Sequence, residues 1–223
     1  MGKLLQAVFD RALVRPWLLV PPLLGLLGQN VVALAAPSGP GSVIVRTVLS
    51  ALMTSVVTAI FAELWLGDGL KIEPNRFVET GKLYLLPYPL LLIFGGLTAP
   101  LVYWIVRAEV PHEAAMAGLY GVLAIGKLSA LALGTVSSLA VVHRSEAKGT
   151  WGALRRGFVS LGANIGFFVP ALIGIWLFQE ACVFLVGQLL PGVLGGFLTT
   201  AVPLFGCVAL PIEAWRSGRL AKT

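Results

Sequence analysis

Charged side chains are few in this sequence: ten acidic and sixteen basic residues, 12% of 223 positions. A soluble domain carries about twice that share. Cysteine is sparse too, with Cys182 and Cys207 both in apolar surroundings and neither in a C-x-x-C spacing. Small buried hydrophobes are the expectation for both, in place of a disulfide or metal site. The two histidines, His112 and His143, fall in loops on opposite sides of the expected membrane and share no metal. No G-x-S-x-G, H-E-x-x-H or phosphate-binding loop occurs, and no paired carboxylates share an inner helix face. We therefore expect no enzyme, no catalytic residue, no cofactor and no metal.

Apolar residues, by contrast, make up 57% of the chain, and the mean hydropathy is +0.90. They come in runs of twenty or more, the length a helix needs to cross a hydrocarbon core about 30 Å thick. The expectation is an all-α integral membrane protein. The net charge of +6 would suggest nucleic acid in a soluble protein. Here the bases cluster in short loops between apolar runs, so orientation and lipid headgroups account for them, and no nucleic-acid partner is expected.

The pattern predicts one transmembrane domain over 1–223, with spans at about 16–36, 43–66, 83–106, 114–142, 163–187 and 192–212. Ser38 to Gly41 and Pro191-Gly192 are turns, and a short loop holds Glu109, Pro111, His112 and Glu113. Residues 1–15 read as an amphipathic interfacial helix, with Leu4, Leu5, Val8, Phe9, Ala12 and Leu13 on its apolar stripe. Residues 143–158 are basic and partly amphipathic, with Trp151, Leu154 and Phe158 interleaved among the bases. Lys3, Arg11 and Arg15 before an apolar stretch ending in Ala33-Leu34-Ala35-Ala36-Pro37 resemble a signal peptide with its cleavage site. That segment belongs to an internal repeat, so it reads as a retained first span. The N-terminus, the 67–82 loop, the 143–158 loop and the tail hold thirteen of the sixteen Lys and Arg. The opposite side holds Arg46 and Arg107. Positive residues stay inside, so both termini are expected in the cytoplasm of a multi-pass protein of the bacterial inner membrane.

The repeat aligns Phe9–Pro21, Phe77–Pro89 and Phe158–Pro170 without gaps. Each copy begins with Phe in a basic or polar stretch, reaches Pro twelve residues later and runs on as an outward span. A second span returns to glycine-containing polar sequence at Gly67 and Gly69, Gly149, and Gly218. Three hairpins of one orientation place any pseudo-symmetry axis along the membrane normal. The repeated prolines read first as kinks where an interfacial helix turns into a span.

Ionisable groups at membrane depth are costly, which makes them functional candidates. Lys127 lies near the middle of the fourth span, and Glu180 lies in the outer half of the fifth beside Gln179. Gln29 and Asn30 stand at a similar distance beyond the repeat proline, and Thr98 roughly so in the second copy. The sharp expectation is a Lys127–Glu180 ion pair with Gln29, Asn30 and Gln179 nearby, lining a polar cavity. The bland one is a structural pair that fixes helix register. Glu63, close to the cytoplasmic end of the second span, is expected to reach headgroups. Gly126, Ala130, Gly134 and Ser138 form a small-residue stripe, and Gly162 with Gly166 and Gly192 with Gly196 repeat the spacing. These are packing signals for helices within the chain or in a partner.

The stretch from Val141 through His143-Arg144, Glu146, Lys148-Gly149, Trp151, Ala153-Leu154-Arg155-Arg156 and Phe158, leading into a span, follows a recurring pattern. With the opening Phe9-Asp10-Arg11-Ala12-Leu13 and Arg15-Pro16, it resembles six-span bacterial proteins similar to the membrane domain of glycerophosphoryl diester phosphodiesterases. That resemblance implies a membrane module accompanying other activities, and it supplies no functional residues. No phosphodiesterase domain is present. Two functions are expected, the first from the small-residue stripes and the lack of a site, the second from the polar residues at membrane depth. One is a non-catalytic, membrane-embedded interaction or accessory subunit, with lipids and either partner subunits or copies of itself around it. The other is a transporter or permease subunit with a polar path near Lys127 and Glu180.

Overall fold

The protein is described from a computed structural model covering residues 2–35, 42–67, 69–87, 89, 112–189 and 193–220. Among these residues every regular element is helical and no strand occurs. The helices are α1 (Gly2–Val14), α2 (Val20–Ala35), α3 (Ser42–Leu66), α4 (Pro74–Leu85), α5 (His112–Val142), α6 (Gly149–Ala163), α7 (Ile165–Leu189), α8 (Val193–Leu204) and α9 (Leu210–Arg216). A 3-10 turn at Pro16–Leu19 joins α1 to α2, another covers Arg144–Glu146, and a π-helical turn at Phe205–Ala209 links α8 to α9.

Four stretches are long and apolar enough to cross a membrane: Val48–Leu66, Glu113–Val142, Ile165–Leu185 and Leu194–Arg216. A fifth is added if α1 and the segment Pro16–Val32, bent by 101°, count as one broken span. This is the make-up of a multi-pass helical membrane protein. Most of the expected third span, together with Arg107, Glu109, Pro111 and the turns at 38–41 and 191–192, lies outside the described residues.

Sequence explains where the elements stop. Arg15 precedes Pro16, whose ring disfavours the α conformation in the residue before it. Arg15 accordingly sits at φ −124°, ψ 74°, and α1 ends at Val14. At the other terminus Gly218 takes φ +65°. Its amide donates to Trp215 O and the next amide, of Arg219, to Ala214 O. That paired closure of a helix C-terminus needs a left-handed residue, which glycine supplies without strain.

The core lies at the end of the bundle where α1, α4 and α6 gather. Phe61, Trp65, Leu18, Leu83, Leu139 and Ile212 are fully enclosed there. Phe61 stacks on Trp65 at 5.7 Å, and the Phe205 ring meets both edge-on. Helix α7 is the outlier: 17% of its apolar window is buried, against 50% for α3. It therefore turns Ile165, Val169, Ile173, Leu177 and Phe184 outward. Helix α1 is apolar on two sides, burying Leu4 and Val8 while exposing Leu5, Phe9 and Leu13.

Candidate functional site

One end of the bundle is locked by charge. Glu63 of α3 does not reach headgroups as its position suggested: it is 8% exposed. Its carboxylate is ion-paired with Arg144 and accepts a hydrogen bond from the Thr80 hydroxyl, while Arg144 also approaches that hydroxyl. Three elements separate in sequence thus close over one buried carboxylate. Burial makes such a pair expensive unless its remaining lone pairs are satisfied, which Thr80 does. The last carbonyls of α3 are capped by other arginines. Arg216 donates to Trp65 O and Leu66 O, at 3.3 and 2.7 Å. Arg15 donates to Gly67 O at 2.6 Å. Cations suit this position because the C-terminal carbonyls are unpaired and carry the negative end of the helix dipole. Arg11 pairs with Glu213 at 3.2 Å and lies over the Trp65 ring, 5.6 Å from its centre.

Next to this lock the helices solve a problem set by their own prolines. A proline offers no N–H to the carbonyl four residues earlier, and in hydrocarbon that carbonyl must find another donor. Pro87 orphans Leu83 O, which accepts from Ser137 at 2.9 Å. Pro211 orphans Cys207 O, which accepts from Ser138 at 2.6 Å. Pro203 orphans Thr199 O, which the Gln179 amide approaches at 3.4 Å. Each donor comes from a neighbouring helix, so the prolines tie the bundle together. Ser138 Oγ also lies 2.8 Å from both Gly134 O and the Tyr84 hydroxyl. A single serine proton serves one carbonyl at a time, so Tyr84 donates to Ser138.

Above this floor lies a chamber of about 320 Å³, lined by residues of α2, α3, α4, α5, α7, α8 and the π turn, among them Gln29, Thr54, Tyr84, Lys127, Gln179 and Thr199. Lys127 is the only charged side chain among the described residues that line it. It is ion-paired with Glu180, as the sequence led us to expect. Glu180 itself lines an adjoining cavity of about 470 Å³ with Tyr120, Leu123, Lys127 and Trp176. Gln29 joins the chamber and meets Thr54 and Ser50 at long range, 3.4 Å each. Asn30 does not join it. Its amide donates back to Leu26 O at 3.0 Å on an exposed face. The reason is angular: consecutive helix residues point about 100° apart, and the face of α2 that presents Gly25 and Gln29 to the chamber leaves Asn30 outside it.

The small-residue stripe divides. At Gly134 an added Cβ would meet the Cys207 Cβ at 3.3 Å, so helix approach there is real. Ala130 lines the chamber and is exposed; Gly126, one turn further along, is half-buried. Ser138 acts as a hydrogen-bond node in addition to being small. Gly162 and Gly166 have no atom within 4 Å of an added Cβ, so no described helix packs on them. The close approach in this region is instead at Gly157, where an added Cβ would collide with Val136 O and meet Ala140 N at 3.1 Å. The sequence reading missed Gly157, Ser137 and the Glu63–Thr80–Arg144 cluster. A proline four residues after a carbonyl was the available signal for the serines; nothing in the sequence pairs Glu63 with Arg144.

Among the described residues no group of three or more His, Cys, Asp or Glu is placed to hold a metal. Cys182 and Cys207 are free thiols, the second buried. Comparison with protein-family models, with curated proteins and with solved structures finds no match for this chain.

Proposed function

We propose that this chain is the membrane subunit of a permease, or a small permease by itself, and that it performs no catalysis. One observation carries the reading: a chamber inside the bundle whose described walls hold a single charge, Lys127, together with the amides of Gln29 and Gln179. A mid-span lysine is costly in hydrocarbon, and an apolar residue would fill the same space at lower cost. A cavity of this size fits a small solute, and the locked end of the bundle closes it on one side.

The finer architecture belongs to the same proposal: six spans, three hairpins of one orientation, and both termini cytoplasmic in a bacterial inner membrane. Two chain breaks support the repeat. Arg15 and Asn164, the non-helical residues between α1 and the following turn and between α6 and α7, occupy the same place in the aligned segments, six residues after Phe9 and Phe158. The two phenylalanines are both exposed, as residues facing lipid from interfacial helices would be.

The test is solvent access. Ala130→Cys, in a chain carrying Cys182→Ser and Cys207→Ala, places one thiol on the chamber wall. A membrane-impermeant methanethiosulfonate should label it in intact vesicles. Labelling only by lipid-soluble maleimides would sink the permease reading.

A second reading, an accessory subunit or self-assembling module, has one observation in its favour. Helix α7 leaves a continuous apolar face outside the bundle, available to lipid or to another membrane helix. Co-purification of a stoichiometric partner in mild detergent, lost on Ile173→Trp, would favour it.

A further inference from the structure

The two cavities meet at Lys127, which lines both. Its counter-ion does not sit in the chamber: Glu180 lines the second cavity only. Among the described residues lining the chamber there is no carboxylate. The side chains of Lys127 and Glu180 remain 49% and 38% exposed, so the pair is not sealed by packing. The contrast with Glu63 and Arg144 is informative. That pair is 7% and 18% exposed, and Thr80 satisfies it further. One ion pair is built to stay closed; the other has open space on both sides.

At rest Glu180 neutralises Lys127. With Glu180 turned away the chamber is electropositive, which repels cations and favours anions, and the low dielectric of the bundle strengthens the preference. The anion best matched to Lys127 is the group it already holds. A carboxylate from a solute replaces one charge-assisted hydrogen bond with an equivalent one, while Glu180, turned into the second cavity beside Tyr120 and Trp176, gives up its ion-pair partner at a cost that opposes binding. Around the lysine, Gln29 brings both donor and acceptor capacity, and its present bonds are long. Thr54 and Thr199 add hydroxyls to the same walls.

We propose that the chamber binds a small organic monocarboxylate, seated on Lys127 in place of Glu180, with the rest of the solute lying along Gln29 and the threonines. Glu180 is then the resting occupant of the site and a competitor for it. The proposal rests on the permease reading and names its substrate class.

The experiment is titration calorimetry on the purified full chain in nanodiscs, with benzoate, inorganic phosphate, choline and inositol as probes. Benzoate should bind saturably, and the other three should not. Glu180→Gln removes the competitor and should tighten benzoate about tenfold or more. Lys127→Gln should abolish saturable binding, whereas Lys127→Arg, which keeps the charge, should retain it. Thermal unfolding of each variant shows that it is folded. Several results would overturn the proposal: benzoate binding that survives Lys127→Gln, weakens in Glu180→Gln, or is absent from the wild type and Glu180→Gln alike. Binding of choline, inositol or phosphate alone would reject the substrate class while leaving the permease reading standing. That reading falls separately, if the Ala130→Cys thiol is closed to the impermeant reagent.

Discussion

Ser138 donates its hydroxyl proton to the backbone oxygen of Cys207 at 2.6 Å, the carbonyl four residues before Pro211, which has no N–H to offer it. The bond joins the C-terminal part of α5 to a π-helical turn between α8 and α9, and Tyr84 of α4 completes it. Such π turns are rare and occur mostly as single-turn bulges within α-helices. The relationship makes the serine and the proline energetically dependent on one another.

That dependence can be measured. Ser138→Ala strands a buried carbonyl and the Tyr84 hydroxyl, at a cost of about 1–3 kcal/mol. Pro211→Ala restores an N–H to the chain four residues after Cys207. The double variant should therefore lose less stability than Ser138→Ala alone. Thermal or denaturant unfolding in detergent decides it; simple additivity of the two changes would disprove the coupling.

The Glu63–Arg144 pair should behave as a buried one. Removing a single partner, by Glu63→Ala or Arg144→Ala, leaves an uncompensated charge and should cost about 3–5 kcal/mol. Removing both should cost less than the sum of the two. Thr80→Val, which deletes the hydroxyl at nearly constant volume, should fall at about 1–3 kcal/mol. If Glu63→Ala unfolds no more easily than wild type, the carboxylate reaches headgroups after all.

Glycine substitutions should separate real helix contacts from apparent ones. Gly157→Ala drives a Cβ against Val136 O and the Ala140 backbone, so α5 and α6 must part and stability must drop. Gly162→Ala meets open space. It should be silent or stabilising by up to about 1 kcal/mol, since alanine is the better helix former. Equal losses at both positions would contradict this packing.

Orientation is open to a labelling test. With native cysteines replaced, Ser217→Cys should react with an impermeant thiol reagent only after cells are permeabilised. Glu113→Cys, at the opposite end of α5, should react in intact cells. The reverse pattern would invert the proposed topology.

How much of this was readable beforehand depends on the range of the interaction. Helix positions followed from local composition. The expected bounds at 43–66 and 114–142 fall within a few residues of α3 and α5, because a membrane helix is a long apolar run bounded by polar turns. The end of α1 at Arg15 and the close of α9 at Gly218 followed from proline and glycine chemistry within a few bonds. The Lys127–Glu180 pair could be anticipated because charge is so rare in these helices that few partners existed.

The tertiary structure decided what local chemistry leaves open. Whether Glu63 meets headgroups or Arg144 depends on how α3, α4 and the turn after α5 converge across eighty residues of chain. Whether Gln29 or Asn30 faces inward depends on the rotation of α2 about its axis, and both are polar. Gly157 and Gly162 look alike in sequence; only the placement of α5 against α6 makes one a contact and leaves the other bare. The sequence by itself determined that the chain is helical, apolar and sparing with charge, since those are properties of each segment alone. Which of its few polar groups are sealed and which border a cavity is a property of helices packed together, and no segment carries it.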